Sequence, residues 1–153
     1  MRIRRARLDD ARALAAVRRA AVLAVPPGVH ARADLAAWAS LPALYDRWAM
    51  AAGGETLLAA ERGGRVAGFA GLRGGELTAL FVAPRHAGRG VGSALVAAVE
   101  RLARRRGVRR LLAVAAASAA PFYRAHGFAG ARAARVPLPG GRRLAAVRLA
   151  KPL

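Results

Sequence analysis

The sequence predicts a mixed α/β domain built on a central, mostly antiparallel sheet with helices flanking it. Three observations lead there. The 153 residues suit one domain and are too few for two ordinary ones. Apolar periodicity switches repeatedly between the alternation of strands and the three- and four-residue spacing of helices. Clusters of Gly and Pro stand at the switches, with no internal repeat and no linker. The predicted order is β, α, α, β, β, β, α, β, α, β, β, in a single domain over residues 1–153.

Residues 1–7 alternate as a short strand, and Leu8-Asp9-Asp10 opens a helix with acids at its positive end. That helix runs to about Val25, where Pro26-Pro27-Gly28 stops it. A second helical region spans about Ala31 to Met50, is interrupted near Pro42 and carries Trp38, Tyr45 and Trp48. Thr56–Glu61, Arg65–Leu72 and Glu76–Ala83 read as a meander of strands divided by Gly-Gly turns. From Gly92 to Arg106 the pattern is helical, with Leu95, Val99 and Leu102 in register and Gly107 as the stop. Val108–Ala115 is a strand and Ser118–His126 a short helix ended by Gly127. Strands near Phe128–Val136 and Arg142–Leu149 flank the turn Pro139-Gly140-Gly141.

Composition removes several classes of function. Without Cys there is no disulfide framework, thiolate nucleophile or thiolate-built zinc site. His30, His86 and His126 lack the short spacing of a ligand pair, so no metal is expected. The basic N-terminus meets Asp9 and Asp10 before any apolar run long enough for a signal peptide. No stretch approaches the ~20 apolar residues of a membrane span, so a soluble, cytoplasmic protein is expected. Arginine supplies 26 of the 27 basic residues, and the formal charge is +19. The arginines are spread from Arg2 to Arg148, few aromatics interleave with them, and Ala, Arg, Gly and Pro share GC-rich codons. That distribution reads as composition bias on a solvated surface, and nucleic acid is not expected as the primary partner.

The stretch Leu77–Glu100, LTALFVAPRHAGRGVGSALVAAVE, carries the chemistry. A strand exits through Pro84, and Gly88-Arg89-Gly90-Val91-Gly92 leads straight into a helix. Glycines on alternate positions let backbone approach a ligand closely. Their amides, with those of the helix's first turn, can converge on an anion that the helix dipole favours, which suits a pyrophosphate. Two other phosphate motifs fail: Ser93 stands where GxGxxG needs its third Gly, and the lone Lys151 cannot complete a Walker loop.

At Phe81-Val82-Ala83-Pro84 and Gly88–Leu95, reinforced by Ala119-Ala120-Pro121-Phe122-Tyr123 through Gly127-Phe128, the chain resembles the GNAT superfamily of acyl-CoA-dependent N-acyltransferases. The order and separation of the two segments match, and the element string fits over essentially the whole chain. The resemblance implies a sheet splayed between the fourth and fifth strands and acetyl-CoA as cosubstrate. Backbone groups of Phe81 and Val82 would hold the pantetheine arm, and amides from Gly88 through Arg89, Gly90, Val91 and Gly92 to Ser93 the pyrophosphate. Arg89, Arg85 and, behind them, Arg124 would add charge to phosphates. Phe122 would pack, and Tyr123 would direct its hydroxyl at the thioester sulfur as general acid. Ala87 stands where the family often has Gln or Arg, which Arg85 recovers two residues earlier.

Family members often carry a basic carboxylate on the strand before the loop. Here Glu76 is the only acid on that strand, and Thr78 occupies a place where an acid would point into the cleft. His30 and His126 are weaker candidates for the base. The acceptor is expected between the sheet and the N-terminal helices near Trp38, Tyr45 and Trp48. Outside the N-terminal and Gly-loop helices the acids are Asp34, Asp46, Glu55, Glu61 and Glu76, too few for a polycation, which favours a small amine or amino-acid-like acceptor. Absence of Cys leaves direct transfer without an acyl-enzyme. The alternative is a non-catalytic acyl-CoA-binding or basic nucleic-acid-associated module on the same fold. Dimers are frequent in the family, with the C-terminal strands as interface elements.

Overall fold

The computed structural model describes residues Met1–Leu153. Strand β1 (Arg2–Arg5) precedes helices α1 (Ala11–Leu23), α2 (Arg32–Ala39) and α3 (Ala43–Ala51), and then the meander β2 (Thr56–Arg62), β3 (Arg65–Arg73), β4 (Glu76–Val82). Helix α4 (Val91–Arg105), strand β5 (Arg110–Ala116), helix α5 (Ala120–Ala125) and the hairpin β6 (Ala129–Pro137), β7 (Arg143–Pro152) complete the chain. The helical region after Ala31 divides at Pro42, whose fixed φ of −80° sets the N-cap of α3. The two helices expected from Leu8 and Ser118 each open as a tight 3-10 turn, Leu8–Asp10 and Ala117–Ala119.

All seven strands form one sheet in the order β1-β2-β3-β4-β5-β7-β6, antiparallel except for β4 beside β5. That parallel pairing is confined to Glu76 opposite Leu112 and Leu77 opposite Ala113. By contrast β4 stays paired with β3 as far as Val82. The sheet therefore splays between its fourth and fifth strands, and the opening begins at a β-bulge. Leu77 faces Leu72 and Ala79 faces Gly71, so Thr78 is the extra residue. A bulge bends its strand and turns successive side chains toward the same face.

Helix α4 lies on one face of the sheet and α1 on the other. Leu95, Val96 and Val99 pack with Ala70, Leu72 and Leu111, while Leu14 and Val17 pack with Leu57 and Phe69. Small residues let α4 come close: a Cβ at Gly68 would stand 3.1 Å from Val91 and 3.2 Å from Leu95.

At the edge, Arg4 binds Asp10 through both terminal nitrogens at 2.8 Å and Glu61 through Nε at 2.7 Å, joining β1 to the start of α1 and to β2. The Arg4 hydrogen bond holds the Asp10 carboxyl at about 2, below its ordinary 3.8. A depressed carboxyl contributes stability above its unfolded value and loses it as pH falls through the folded one. Asp10→Asn is expected to lower the denaturation midpoint at pH 6 and to leave a shallower loss of stability between pH 5 and 2. Urea titrations across that range check it; identical pH slopes for the two proteins would refute the linkage.

Candidate functional site

Between β4 and α4 the chain turns through Pro84–His86 and then through glycines with left-handed backbone, Gly88 at φ +70° and Gly90 at φ +79°. L side chains rarely adopt that region, so the Gly-x-Gly spacing is a backbone requirement here. Within the turn His86 N–H donates to Ala83 and Ala87 N–H to Pro84, and further on Ala94 N–H donates to Gly90. The six amides between them, residues 88–93, donate to no protein acceptor. They form a run of free donors at the positive end of a 15-residue helix, an arrangement suited to an anion. Arg85 and Arg89 are exposed beside it. Arg124 donates instead to the Gly130 carbonyl, at 3.1 Å.

Strand β4 supplies an open edge. The Ala83 amide donates to Ala67 across β3 at 2.8 Å, so strand alternation turns the amide and carbonyl of Val82 into the splay, where no strand meets them. Phe81 is turned toward β3, opposite Phe69, and its ring meets Trp38 edge-on at 5.6 Å.

Helix α5 closes the splay from the β5 side. The Phe122 ring lies on the loop: a Cβ at Gly92 would stand 3.1 Å from it. The Phe122 carbonyl can only accept, so His126 Nδ1 donates to it at 2.8 Å, and Nε2 shares a hydrogen bond with the Ser93 hydroxyl at 2.8 Å. Tyr123 is 6 % exposed, packed edge-on against Phe122 and Phe128, and its hydroxyl has no hydrogen-bond partner in the protein. Burial pushes its phenol well above the ordinary value, so it stays protonated through the neutral range.

On the opposite face, between the sheet and helices α1 to α3, lies a cavity of about 210 Å³ that reaches from β2 across the splay to β7. Trp38, Tyr45 and Phe81 line it. Trp48 does not; it is 54 % exposed and lies against Tyr45 at 6.5 Å. Two ionic groups stand in the walls. Arg18 meets Asp46 with Nη1–Oδ1 at 2.5 Å and Nη2–Oδ2 at 2.9 Å, each residue being 2 % exposed. Glu55, 9 % exposed, accepts the Thr78 hydroxyl at 2.9 Å.

Glu76 stands elsewhere, at the hairpin end of β4, 3.9 Å from Arg73 and outside the cavity lining. His30 is buried, and its Nε2 accepts from the Ser118 amide at 3.2 Å, which ties the α1–α2 connection to the turn before α5; burial lowers its pKa and keeps it neutral. Arg18, Asp46 and Glu55 carry no site role in the sequence reading. One signal for Arg18 exists: Leu14, Arg18 and Val22 recur every four residues, which places an arginine on the buried stripe of α1. The bulge that brings Thr78 to Glu55 leaves no such mark.

A family model described as the acetyltransferase (GNAT) family matches residues 23–128. No curated protein matches the chain. Among solved structures, the chain is similar to the GCN5-related N-acetyltransferase described as aminotransferase, class-II, from Rhodopseudomonas palustris. That match has a TM-score of 0.91 and 30 % identity over 99 % of this chain and 95 % of that one. It is also similar to ribosomal-protein-alanine N-acetyltransferase from Brucella melitensis, with a TM-score of 0.70 and 28 % identity over 100 % of both chains. The fold is shared with YncA from Salmonella typhimurium, solved with its cofactor acetyl-CoA, at a TM-score of 0.72 and 24 % identity over 100 % of this chain and 94 % of that one.

Proposed function

The chain belongs to the GNAT acetyltransferase family, and from that premise we propose that it moves the acetyl group of acetyl-CoA to the nitrogen of a small amine, by direct attack with both substrates bound. The observation that carries the reading is the run of unpartnered amides from Gly88 to Ser93 beside the open edge at Val82. The pyrophosphate rests on those amides, with Arg89 and Arg85 adding charge. The pantetheine arm extends the sheet along β4, as an added strand does. Phe122 packs under the loop and holds Gly92 in place.

The splay brings the thioester to the same opening that the cavity reaches, so proximity accounts for much of the rate. The amine nitrogen attacks the carbonyl, and the oxyanion is stabilised by a backbone amide on the open edge of β4 that runs back from Val82 toward the bulge at Thr78. The C–S bond then breaks, and the thiolate takes the Tyr123 proton. A buried phenol kept protonated and free of any protein partner suits that step.

Ligand-dependent melting tests the reading. At a hundredfold excess over Kd, acetyl-CoA stabilises its binder by about 2.7 kcal/mol, or roughly 5–11 °C for a domain of this size. Duplex DNA at moderate salt should do little. Stabilisation by DNA and none by acetyl-CoA would sink the enzyme reading.

A further inference from the structure

The cavity under α3 has a polar wall that no step so far has used. Gly53 and Gly54 bring the chain round from α3: the Gly53 amide donates to Trp48, the Glu55 amide to Ala49, and Gly54 takes φ +72°. This turn sets the Glu55 carboxylate against β4. Its Oε2 accepts the Thr78 hydroxyl at 2.9 Å, and its Oε1 accepts Arg73 Nη1 at 3.3 Å. Arg73 comes from a half-exposed position and is shared with Glu76. Room for the contact is made by Gly71, where a Cβ would stand 2.4 Å from Thr78 Oγ and 3.2 Å from Glu55 Oε2. Having given its one proton to Glu55, the Thr78 hydroxyl keeps lone pairs for another donor.

On the neighbouring wall the Arg18 guanidinium is committed at Nη1 and Nη2 to Asp46 and, at 3.0 Å, to the Leu41 carbonyl. Its Nε is buried and has no partner. An orphaned buried donor is costly, and an oxygen on a bound molecule removes that cost. Arg18 and Asp46 cancel in charge, and Glu55, with Oε1 on Arg73 and Oε2 on Thr78, meets one amine nitrogen through the Thr78 hydroxyl and leaves no carboxylate for a second. The remaining lining is apolar, chiefly Trp38, Leu41, Leu57, Phe69, Phe81 and Leu144. An apolar cavity of about 150 Å³ already takes up benzene, so about 210 Å³ accepts an aromatic ring or branched chain with a few atoms more.

Resting on the acetyltransferase reading, we propose that the acceptor is a small primary amine with a compact apolar body and one carbonyl or hydroxyl oxygen. It binds in this cavity with its nitrogen on the Thr78 hydroxyl, through which Glu55 takes its proton. The amine binds as free base. On attack the N–C bond forms and the C–S bond breaks. The surplus proton on nitrogen passes to Thr78 Oγ while the hydroxyl's own proton passes to Glu55 Oε2, and the thiolate takes the Tyr123 proton. Glu55 then releases its proton to water and Tyr123 recovers one, so the products are the N-acetyl amide and the free CoA thiol. The acceptor's oxygen meets Arg18 Nε–H. Polyamines and aminoglycosides are disfavoured, because their further ammonium groups find no carboxylate here.

The test follows CoA thiol release by the full-length protein with L-phenylalaninamide, phenethylamine and spermidine as acceptors. Acetyl-CoA binding is measured in parallel by calorimetry. L-Phenylalaninamide is expected to show the highest kcat/KM, phenethylamine less because it leaves Arg18 Nε unmet, and spermidine the lowest, by on the order of tenfold or more. Glu55→Gln should lower kcat by on the order of 100-fold, the low end for a lost proton acceptor, with acetyl-CoA affinity unchanged. Thr78→Val should behave alike and Thr78→Ser should retain activity, which guards against a folding defect. A preference for spermidine, an unaltered kcat in Glu55→Gln, or a large loss of kcat in Glu76→Gln alone would overturn the proposal. So would a protein that binds acetyl-CoA yet acetylates neither apolar amine. A protein that does not bind acetyl-CoA at all fails the acetyltransferase reading itself, and this proposal falls with it.

Discussion

Gly90→Glu is expected to abolish acetyl-CoA binding while the fold survives. Gly90 is the N-cap of α4 at φ +79°, and nothing lies within 4 Å of the place a Cβ would occupy. A side chain there meets no clash, but the left-handed backbone costs about 1–2 kcal/mol for an L residue. The larger effect is charge. A carboxylate amid six unpartnered amides competes for the donors meant for a diphosphate and repels it, by several kcal/mol at contact range in a surface dielectric. Together these amount to a loss of affinity on the order of 100-fold or more, at about 1.4 kcal/mol per tenfold. Gly90→Ala separates the contributions, because it introduces the strain without the charge and should lose only on the order of tenfold. Calorimetry with acetyl-CoA, beside circular dichroism to confirm folding, decides the matter. Micromolar affinity retained in Gly90→Glu would refute the placement of the pyrophosphate.

Tyr123→Phe should slow acetyl transfer by on the order of 100-fold or more, the range seen when a general acid is lost. The substitution keeps the ring that packs against Phe122 and Phe128 and removes a hydroxyl with no partner in the protein. Neither acetyl-CoA affinity nor melting temperature should therefore fall, and that separates a chemical role from a packing one. The pH profile adds a second readout. Burial raises the phenol's pKa, so the wild-type rate should show no alkaline limb near the ordinary tyrosine value of 10. An unchanged turnover in Tyr123→Phe would remove Tyr123 as the acid; a limb near 10 would place its hydroxyl in water.

The secondary structure was legible almost throughout, because each element carries a local signal. Pro26-Pro27-Gly28, Gly53-Gly54 and the Arg-Gly-Gly turns mark the ends, and the four-residue rows of α4 mark its buried face. The Gly88–Ser93 loop was equally plain, since its left-handed turns depend on backbone freedom and glycine spacing states that directly. The polar groups of the cavity wall were harder. Glu76 stands on the expected strand and lies beside Arg73 at the hairpin, whereas the carboxylates in the cavity wall are Asp46 on α3 and Glu55 on a turn before β2. Trp38 and Tyr45 reach the cavity and Trp48, on the same helix as Tyr45, faces away from it, a difference set by helix rotation against the sheet.

By itself the sequence determined the order of elements, the family and the glycine turn into α4, because those rest on periodicity, turn chemistry and contiguous backbone. Only the tertiary structure decided which side chains share a site. The parting of β4 from β5, the extra residue at Thr78 and the gap left by Gly71 depend on the register between strands, and they join Glu55 to Thr78 across 23 positions of chain. The same holds for Arg18 and Asp46, 28 positions apart, whose pairing awaits the docking of α3 on α1. Register and docking are long-range choices made by the whole core, and no local pattern encodes them.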